Sequence, residues 1–318
     1  MPPLTPYTTT LTDEAQRRGI RVTLINSDPD WPIFDLSRNG KRVRCFNALT
    51  DHVGAATFHL LNNKRACHAW LAKRRIPVPN QYAYDDAQHV GALAFLERHA
   101  PLVVKPCAQW GGRGISMGVR TAEDLRAAIR FARRYETDVV LEETIRGDDL
   151  RVILVGGELA AAIRRTPAHV VGDGVHTIQQ LIRRKNAQRR REDASNAIPW
   201  NNETRRNLAE LGHTQGDIPN RGEQVRVRLT NNYHTGGTVD IVTDAVPARA
   251  LSIAQRIARE LNLPLVGVDF LVDRRTRRLS VIEVSPDMAI SPPEGATVAK
   301  RFLDYLFPDE PMPNARRS

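Results

Sequence analysis

Lys105 closes the apolar run Pro101-Leu-Val-Val-Lys105, and the residues after it, Pro-Cys-Ala-Gln-Trp-Gly-Gly-Arg-Gly-Ile-Ser, carry Gly111, Gly112 and Gly114 before Ser116. A β-branched strand that delivers one cation, then a loop whose glycines let backbone N–H groups approach an anion, is the chemistry of a nucleotide-phosphate clamp. An ordinary strand end followed by an ordinary turn is the competing reading. A second set of groups lies far along the chain. Val-Gly-Val-Asp-Phe-Leu-Val puts Asp269 inside an apolar run, and Leu-Ser-Val-Ile-Glu-Val-Ser puts Glu283 in the next one. The arginine-rich link 273–278 is short, so the two runs form a hairpin with both carboxylates on one face. Two carboxylates on buried strands are costly without a positive partner. Magnesium, held by carboxylates and substrate phosphates, is a natural one; salt bridges to the many arginines are the alternative. Between these sets runs Val139 to Arg151. A strand ends at Glu142, and the polar backbone that follows could meet an adenine edge. Asp149 comes at a distance suited to a ribose hydroxyl. Arg151 re-enters a strand and could face phosphate. Each of these residues also reads as part of a surface turn.

The elements that must position these groups follow from periodicity and punctuation. Helices are expected at Leu11–Gly19, Asn63–Lys73, Ala87–His99, Thr121–Tyr135, Ile178–Arg190, Ala248–Leu261 and Val298–Leu306. Thr121 serves as an N-cap, with Glu123 and Asp124 at the positive end of its helix. Strands are expected at Ile20–Asn26, Leu102–Lys105, Asp138–Glu142, Gln224–Leu229, Thr238–Val242, Leu265–Val272 and Leu279–Val284. Leu150–Val155 and Glu158–Ile163 form a hairpin across Gly156–Gly157. Asp193–Asn220 reads as polar, irregular and mobile, and Pro311–Ser318 as a loose tail. These elements divide the chain into an N-terminal α/β unit (1–79), a central subdomain (80–143) and a C-terminal subdomain (144–318).

The composition, 41% hydrophobic and 26% charged over 318 residues, is that of a globular protein. No apolar stretch is long enough to span a bilayer, and the first residues resemble no signal peptide. Cys45, Cys67 and Cys107 are odd in number and lack metal-ligand spacing, so buried thiols and a cytoplasmic location are expected. The net charge of +10 fits attraction to nucleic acid, attraction to acidic small substrates, or a generally basic surface. The basic runs are Arg164–Arg165, Arg183–Lys185 and Arg189–Arg191. They lack the aromatic interleaving of a single-strand binder, and a solvated helix face remains open for them.

The order Lys64, Lys105 with its glycine loop, Glu142–Glu143, Asp149, Arg151, Asp269 and Glu283 resembles that of the ATP-grasp carboxylate–amine ligases. Val170-Val-Gly-Asp-Gly-Val-His-Thr-Ile, Arg221-Gly-Glu-Gln-Val-Arg-Val-Arg and Asn232-Tyr-His-Thr-Gly-Gly-Thr-Val-Asp are similar to the ATP-grasp modules of cyanophycin synthetases and bifunctional glutathione synthetases. The resemblance covers Leu11 to Phe307. It implies an α+β fold in which two subdomains hold the nucleotide. It also implies that Lys64 and Lys105 contact ATP phosphates and that the loop Gln109–Ser116, with Gly111, Gly112, Gly114 and Ile115, closes over them. Glu142, Glu143, Thr144 and Ile145 would receive adenine, and Asp149 the ribose. Arg228 and Arg151 would act on the transferred phosphate, with Asn232 in the same site. Asp269 and Glu283 would hold one or two magnesium ions. The family's Glu-x-Asn is Glu283-Val284-Ser285 here, which puts a second ion in question; Asp287 is a candidate replacement.

The reaction so implied joins an amino-acid or small-peptide carboxylate to an amine through an acyl phosphate, releasing ADP and phosphate. Addition of amino acids to a protein and non-catalytic ATP binding are the alternatives. A nucleic-acid or membrane partner is not expected, and a homo-oligomer is allowed. With no Mur-ligase-like or glutamate–cysteine ligase domain in these residues, cyanophycin synthesis or complete glutathione synthesis by this chain alone is not expected.

Overall fold

The structure is a computed structural model that describes residues 6–308 except 27, 29–30, 87–88, 110, 193–195, 230, 232 and 287–291. The chain divides into two compact units, each assembled from separate segments. Unit 1 comprises Met1–Val78, Leu150–Ile163 and Ile241–Ser318; unit 2 comprises Pro79–Asp149 and Arg164–Asp240.

Unit 1 begins with α1 (Pro6–Arg17) and an antiparallel meander of β1 (Arg21–Asn26), β2 (Ile33–Arg38), β3 (Lys41–Phe46) and β4 (Leu49–Thr50). The β2–β3 hairpin turns at Asn39–Gly40, both with positive φ (51° and 78°), the geometry that Asn-Gly favours. Sequence reasoning missed this hairpin. Next come α2 (Ala55–Asn62) and α3 (Lys64–Lys73). Asn63 caps α3 by accepting from the Ala66 N–H at 3.0 Å.

A five-stranded sheet has the order β13-β10-β9-β14-β15, with β9 at Asp148–Val155, β10 at Glu158–Thr166, β13 at Thr238–Ile241, β14 at Leu265–Val272 and β15 at Leu279–Ser285. The β9–β10 turn is Gly156–Gly157, both with positive φ. Alternation along β9 shows why these residues form a doubly covered strand. Ile153 and Val155 join one core with Leu11, Phe34 and Phe302. Val152 and Leu154 join the other with Leu71, Ile257 and Phe270. The second core also receives α8 (Ala248–Glu260), and the first receives α9 (Pro292–Leu306).

Unit 2 carries the sheet β5-β8-β6-β7, made of β5 (Gln81–Tyr84), β6 (Leu102–Pro106), β7 (Ser116–Val119) and β8 (Val139–Glu143). The helices α4 (His89–His99) and α5 (Ala122–Ala132) share its apolar core through Ala92, Leu96, Leu125 and Ile129. Thr121 and Asp124 make a capping box on α5, worth about 1 kcal/mol.

A smaller core in unit 2 joins β11 (His169–Val171), β12 (Gln224–Arg226), α6 (Ile178–Glu192) and α7 (Asn202–Glu210) through Val170, Ile178, Ile182, Leu208 and Val225. Helix α7 corrects the expectation that 193–220 is irregular throughout. Its buried face is largely polar, Thr204 and Asn207 beside Leu208, so an apolar period of 3.6 is missing. The expected tail 311–318 lies outside the described residues.

Candidate functional site

In unit 2, β6 delivers Lys105 into the sheet interior, not only to its end. Its ammonium lies 2.6 Å from Glu142 Oε2, and both side chains are nearly inaccessible. Gln81 Nε2 donates to Glu142 Oε1 at 2.6 Å. Cross-strand register explains the arrangement, because Glu142 on β8 pairs with Gln81 on β5 and with Val103 on β6. Lys105 therefore neutralises a buried carboxylate at the end of the strand that leads into the loop.

The loop that follows is anchored at its base. Ala108 N–H donates to Glu136 Oε2 at 2.7 Å, and Gln109 Nε2 reaches the Tyr135 carbonyl at 3.4 Å. Gly111, Gly112 and Gly114 have φ of 67°, 79° and 72°, the left-handed region that glycine enters freely. A Cβ on Gly114 would sit 2.7 Å from the Pro106 ring and 2.9 Å from Tyr135. Trp110 lies outside the described residues. At the loop's exit Ser116 is buried, and its hydroxyl has no hydrogen-bond partner among the described residues. The Thr144 hydroxyl is in the same condition. Buried hydroxyls are rarely left unpaired. Ser116 opposes Val104 across β6–β7, one residue from Lys105.

The stretch 142–145 corrects one detail of the sequence reading. Glu142 does not end a strand; β8 runs through Glu143. The Glu143 N–H donates to the Asn80 carbonyl at 3.1 Å, and the Thr144 N–H to the Pro101 carbonyl at 3.1 Å. Those two N–H groups are already engaged, and Ile145 is the first residue past both bonds. The Glu143 carboxylate accepts from Asn80 Nδ2 at 2.9 Å and lies 3.4 Å from His99 Nδ1. Asp149 is buried between Arg165 Nε at 2.7 Å and Asn231 Nδ2 at 2.9 Å. Arg228 is buried and directs Nη1 to Asn201 Oδ1 and Thr204 Oγ1, each at 3.2 Å, the cap and first turn of α7. Asn232 lies outside the described residues.

Unit 1 carries the remaining groups. Asp269 and Glu283 are direct cross-strand partners on β14 and β15, and Ser285 faces Gly267 two residues on. Period two puts Glu283 and Ser285 on one face with Asp269. Arg151, on β9 beside β14, grips Asp269 through Nε at 2.6 Å and Nη2 at 2.8 Å. A bidentate pair of this kind is strong; it is the arginine salt bridge that the sequence offered as an alternative for Asp269, with Arg151 as the unnamed partner, whereas Lys105–Glu142 was not foreseen. Lys64 opens α3 and is buried, an unfavourable place for a cation at the positive end of a helix. One turn later, His68 Nε2 bonds the Ile282 carbonyl at 3.1 Å, tying α3 to the strand of Glu283. Asp287 lies outside the described residues. Cys45, Cys67 and Cys107 are free and buried. No helix among the described residues is long and apolar enough to cross a membrane.

Residues 83–189 match the family described as the D-Ala D-Ala ligase C-terminus. The chain is 30% identical over 325 residues to the cyanophycin synthetase of Trichormus variabilis, covering 96% of itself and 35% of that protein. It is 28% identical over 310 residues to the glutathione biosynthesis bifunctional protein of Listeria innocua, covering 92% of itself and 40% of that protein. The chain thus spans well under half the length of these curated relatives. Among solved structures it resembles a bifunctional glutathione synthetase from Pasteurella multocida, with a TM-score of 0.63 at 23% identity over 96% of this chain and 43% of that one. It also resembles D-alanine–D-alanine ligase from Bacillus anthracis, with a TM-score of 0.53 at 12% identity over 80% and 70%. The fold is the ATP-grasp fold.

Proposed function

We propose that this chain, built on the ATP-grasp fold, is an ATP-dependent ligase joining an amino-acid or small-peptide carboxylate to an amine. ATP phosphorylates the carboxylate, and the amine then displaces phosphate from the acyl phosphate. The observation that carries this reading is the anion seat of unit 2. A strand lysine fixed by a buried carboxylate runs directly into a loop of three left-handed glycines. Likeness to amide-forming relatives supports it.

In this reading Lys105 and Lys64 place positive charge against the nucleotide phosphates, and Glu142 fixes the Lys105 ammonium. The loop Gln109–Ser116 folds over the phosphates and excludes water, which would hydrolyse the acyl phosphate. Ile145 meets the adenine edge, and Asp149 the ribose. Arg228 and Arg151 stabilise charge on the group being transferred. The segments 1–79, 80–143 and 144–318 act as N-terminal unit, lid and metal-bearing subdomain. The donor set of Asp269, Glu283 and Ser285 is all oxygen and shares one face, which suits magnesium completed by phosphate oxygens. Bound there, magnesium would neutralise phosphate charge.

Non-catalytic ATP binding is the second reading. It is favoured by Ser285 and by the engagement of Asp269 with Arg151. A screen of phosphate release over amino acids and dipeptides, followed by mass measurement of the product, separates the two. Amino-acid-dependent ADP and phosphate in equal amounts with a condensed product is the expected result. ATP binding without substrate-dependent release supports the second reading, and absence of nucleotide binding overturns both.

A further inference from the structure

The basic runs of the sequence do not share one environment in the structure. On α6, Arg183 and Arg184 are exposed, and Arg184 rests on the His176 ring and 3.8 Å from Asp173. Lys185 and Arg189, one turn apart, face inward instead. Lys185 Nζ donates to the His169 carbonyl at 2.6 Å. Arg189 is buried and donates Nη1 to Asn196 Oδ1 at 2.8 Å and to the Asn196 carbonyl at 3.3 Å. The His169 ring joins them from β11, with Nδ1 3.2 Å from the Pro167 carbonyl.

Among the described residues no carboxylate pairs with Lys185, and the charge that acts on it is that of Arg189. Burial, then Arg189, brings the Lys185 ammonium down to about 8. Burial lowers His169 as well, with Lys185 and Arg189 adding to it. The Lys185 charge, drawn partly out of water beside Arg189 with no carboxylate among the described residues, carries a cost that an anion would relieve.

We propose that Lys185 and Arg189, beside His169, form a site for a carboxylate of the amino-acid or peptide substrate, made of residues other than those around Lys105. The cluster itself carries the site; the choice of a substrate carboxylate rests on the ligase reading. Nucleotide phosphates already have a seat in the glycine loop, and an ammonium beside a guanidinium matches one or two carboxylate charges.

The test is calorimetric titration of the full-length chain with tri-glutamate and, separately, with ATP–magnesium, at pH 7 and pH 9. No turnover is needed. Lys185→Gln and Arg189→Gln should each weaken tri-glutamate about tenfold or more, the loss of one charge-assisted hydrogen bond. Lys185→Arg, which keeps the charge, should stay within about threefold at pH 7. It should also abolish the weakening that the parent shows as Lys185 loses its proton above pH 8. Of the groups facing Lys185, Arg189 on its own helix keeps its charge and the lowered His169 on β11 is neutral at both pH values, so the effect belongs to Lys185. ATP affinity should stay unchanged throughout. The proposal is overturned if tri-glutamate does not bind the parent, if both glutamine variants bind it like the parent, or if they weaken ATP instead. Tri-glutamate bound at this cluster with no substrate-dependent phosphate release would sink the ligase reading and leave the site standing. Turnover with KM unmoved in Lys185→Gln would do the reverse.

Discussion

Replacing Lys105 with methionine should unfold unit 2 more readily, apart from any effect on ATP. The ammonium and the Glu142 carboxylate are 2.6 Å apart, and their side chains are 9% and 4% exposed. Solvent screening is weak at such exposure. Removing one member of a buried pair costs about 3–5 kcal/mol, because the other charge stays buried without its counter-ion. The Gln81 amide still donates to Glu142, so the low end, about 3 kcal/mol, is expected. Glu142→Gln in the same chain removes the stranded charge. The double variant Lys105→Met/Glu142→Gln should recover to within about 1 kcal/mol of the parent, as apolar or neutral replacement of buried pairs commonly does. Urea denaturation followed by circular dichroism reads the midpoint, and midpoint times slope gives the free energy. Nucleotide titration of the double variant, which is folded, then isolates the loss of the phosphate contact, about 1.5–3 kcal/mol. A single variant destabilised by less than about 1 kcal/mol, or a double variant no better than the single one, would refute the reasoning.

Gly114→Ala should lose about 1–2 kcal/mol of stability from its left-handed backbone, with more from the contact against Pro106 and Tyr135, and should weaken ATP in the same titration. Glu283→Gln should raise the magnesium concentration needed for activity, and Ser285→Asn should lower it. Asp269→Asn should do the first and also lower the thermal midpoint, because Arg151 loses its carboxylate; equal midpoints for Asp269→Asn and Glu283→Gln would count against that pair. Lys185 is held at about 8, below its ordinary 10.5. The unfolded chain therefore binds more protons across that window, and Lys185 makes stability rise with pH from about 8 to 10.5. Urea midpoints at pH 8 and 10 should differ in the parent by more than in Lys185→Met, and equal differences would remove Lys185 from the account.

The groups with chemistry were the legible ones, because each breaks a strong local pattern. Lys105 and Asp269 are charges inside apolar strands, and the glycine loop interrupts a strand alternation. The Asp269–Glu283 register was readable because a short link forces a hairpin. Partners distant in sequence were not readable. Arg151 and Asp269 are 118 residues apart, and only the β9–β14 pairing of the sheet brings them together. The Asn39–Gly40 turn does announce the β2–β3 hairpin, but the charges of Lys41, Arg42 and Arg44 mask the buried face of Val43 and Cys45. Helix α7 escaped for a different reason. Its inward residues Thr204 and Asn207 are polar, and the Thr204 hydroxyl stays buried by donating to the Pro199 carbonyl and accepting from Arg228.

Unit 1 is assembled from three stretches of chain, the first and last separated by more than half of the sequence. The apolar faces of α1, β2 and β3 close only when Phe302, Leu303 and Leu306 arrive from α9. During synthesis those faces stay uncovered while residues 79–240 emerge and while both segments of unit 2 become available to pair. Unit 2 can thus fold on the ribosome before unit 1 is complete. Contacts of such long range are slow to form, and open strand edges invite aggregation meanwhile. Yield in cells should accordingly depend on chaperone supply and translation speed, and a shortened C-terminus should trap the N-terminal meander in an insoluble form.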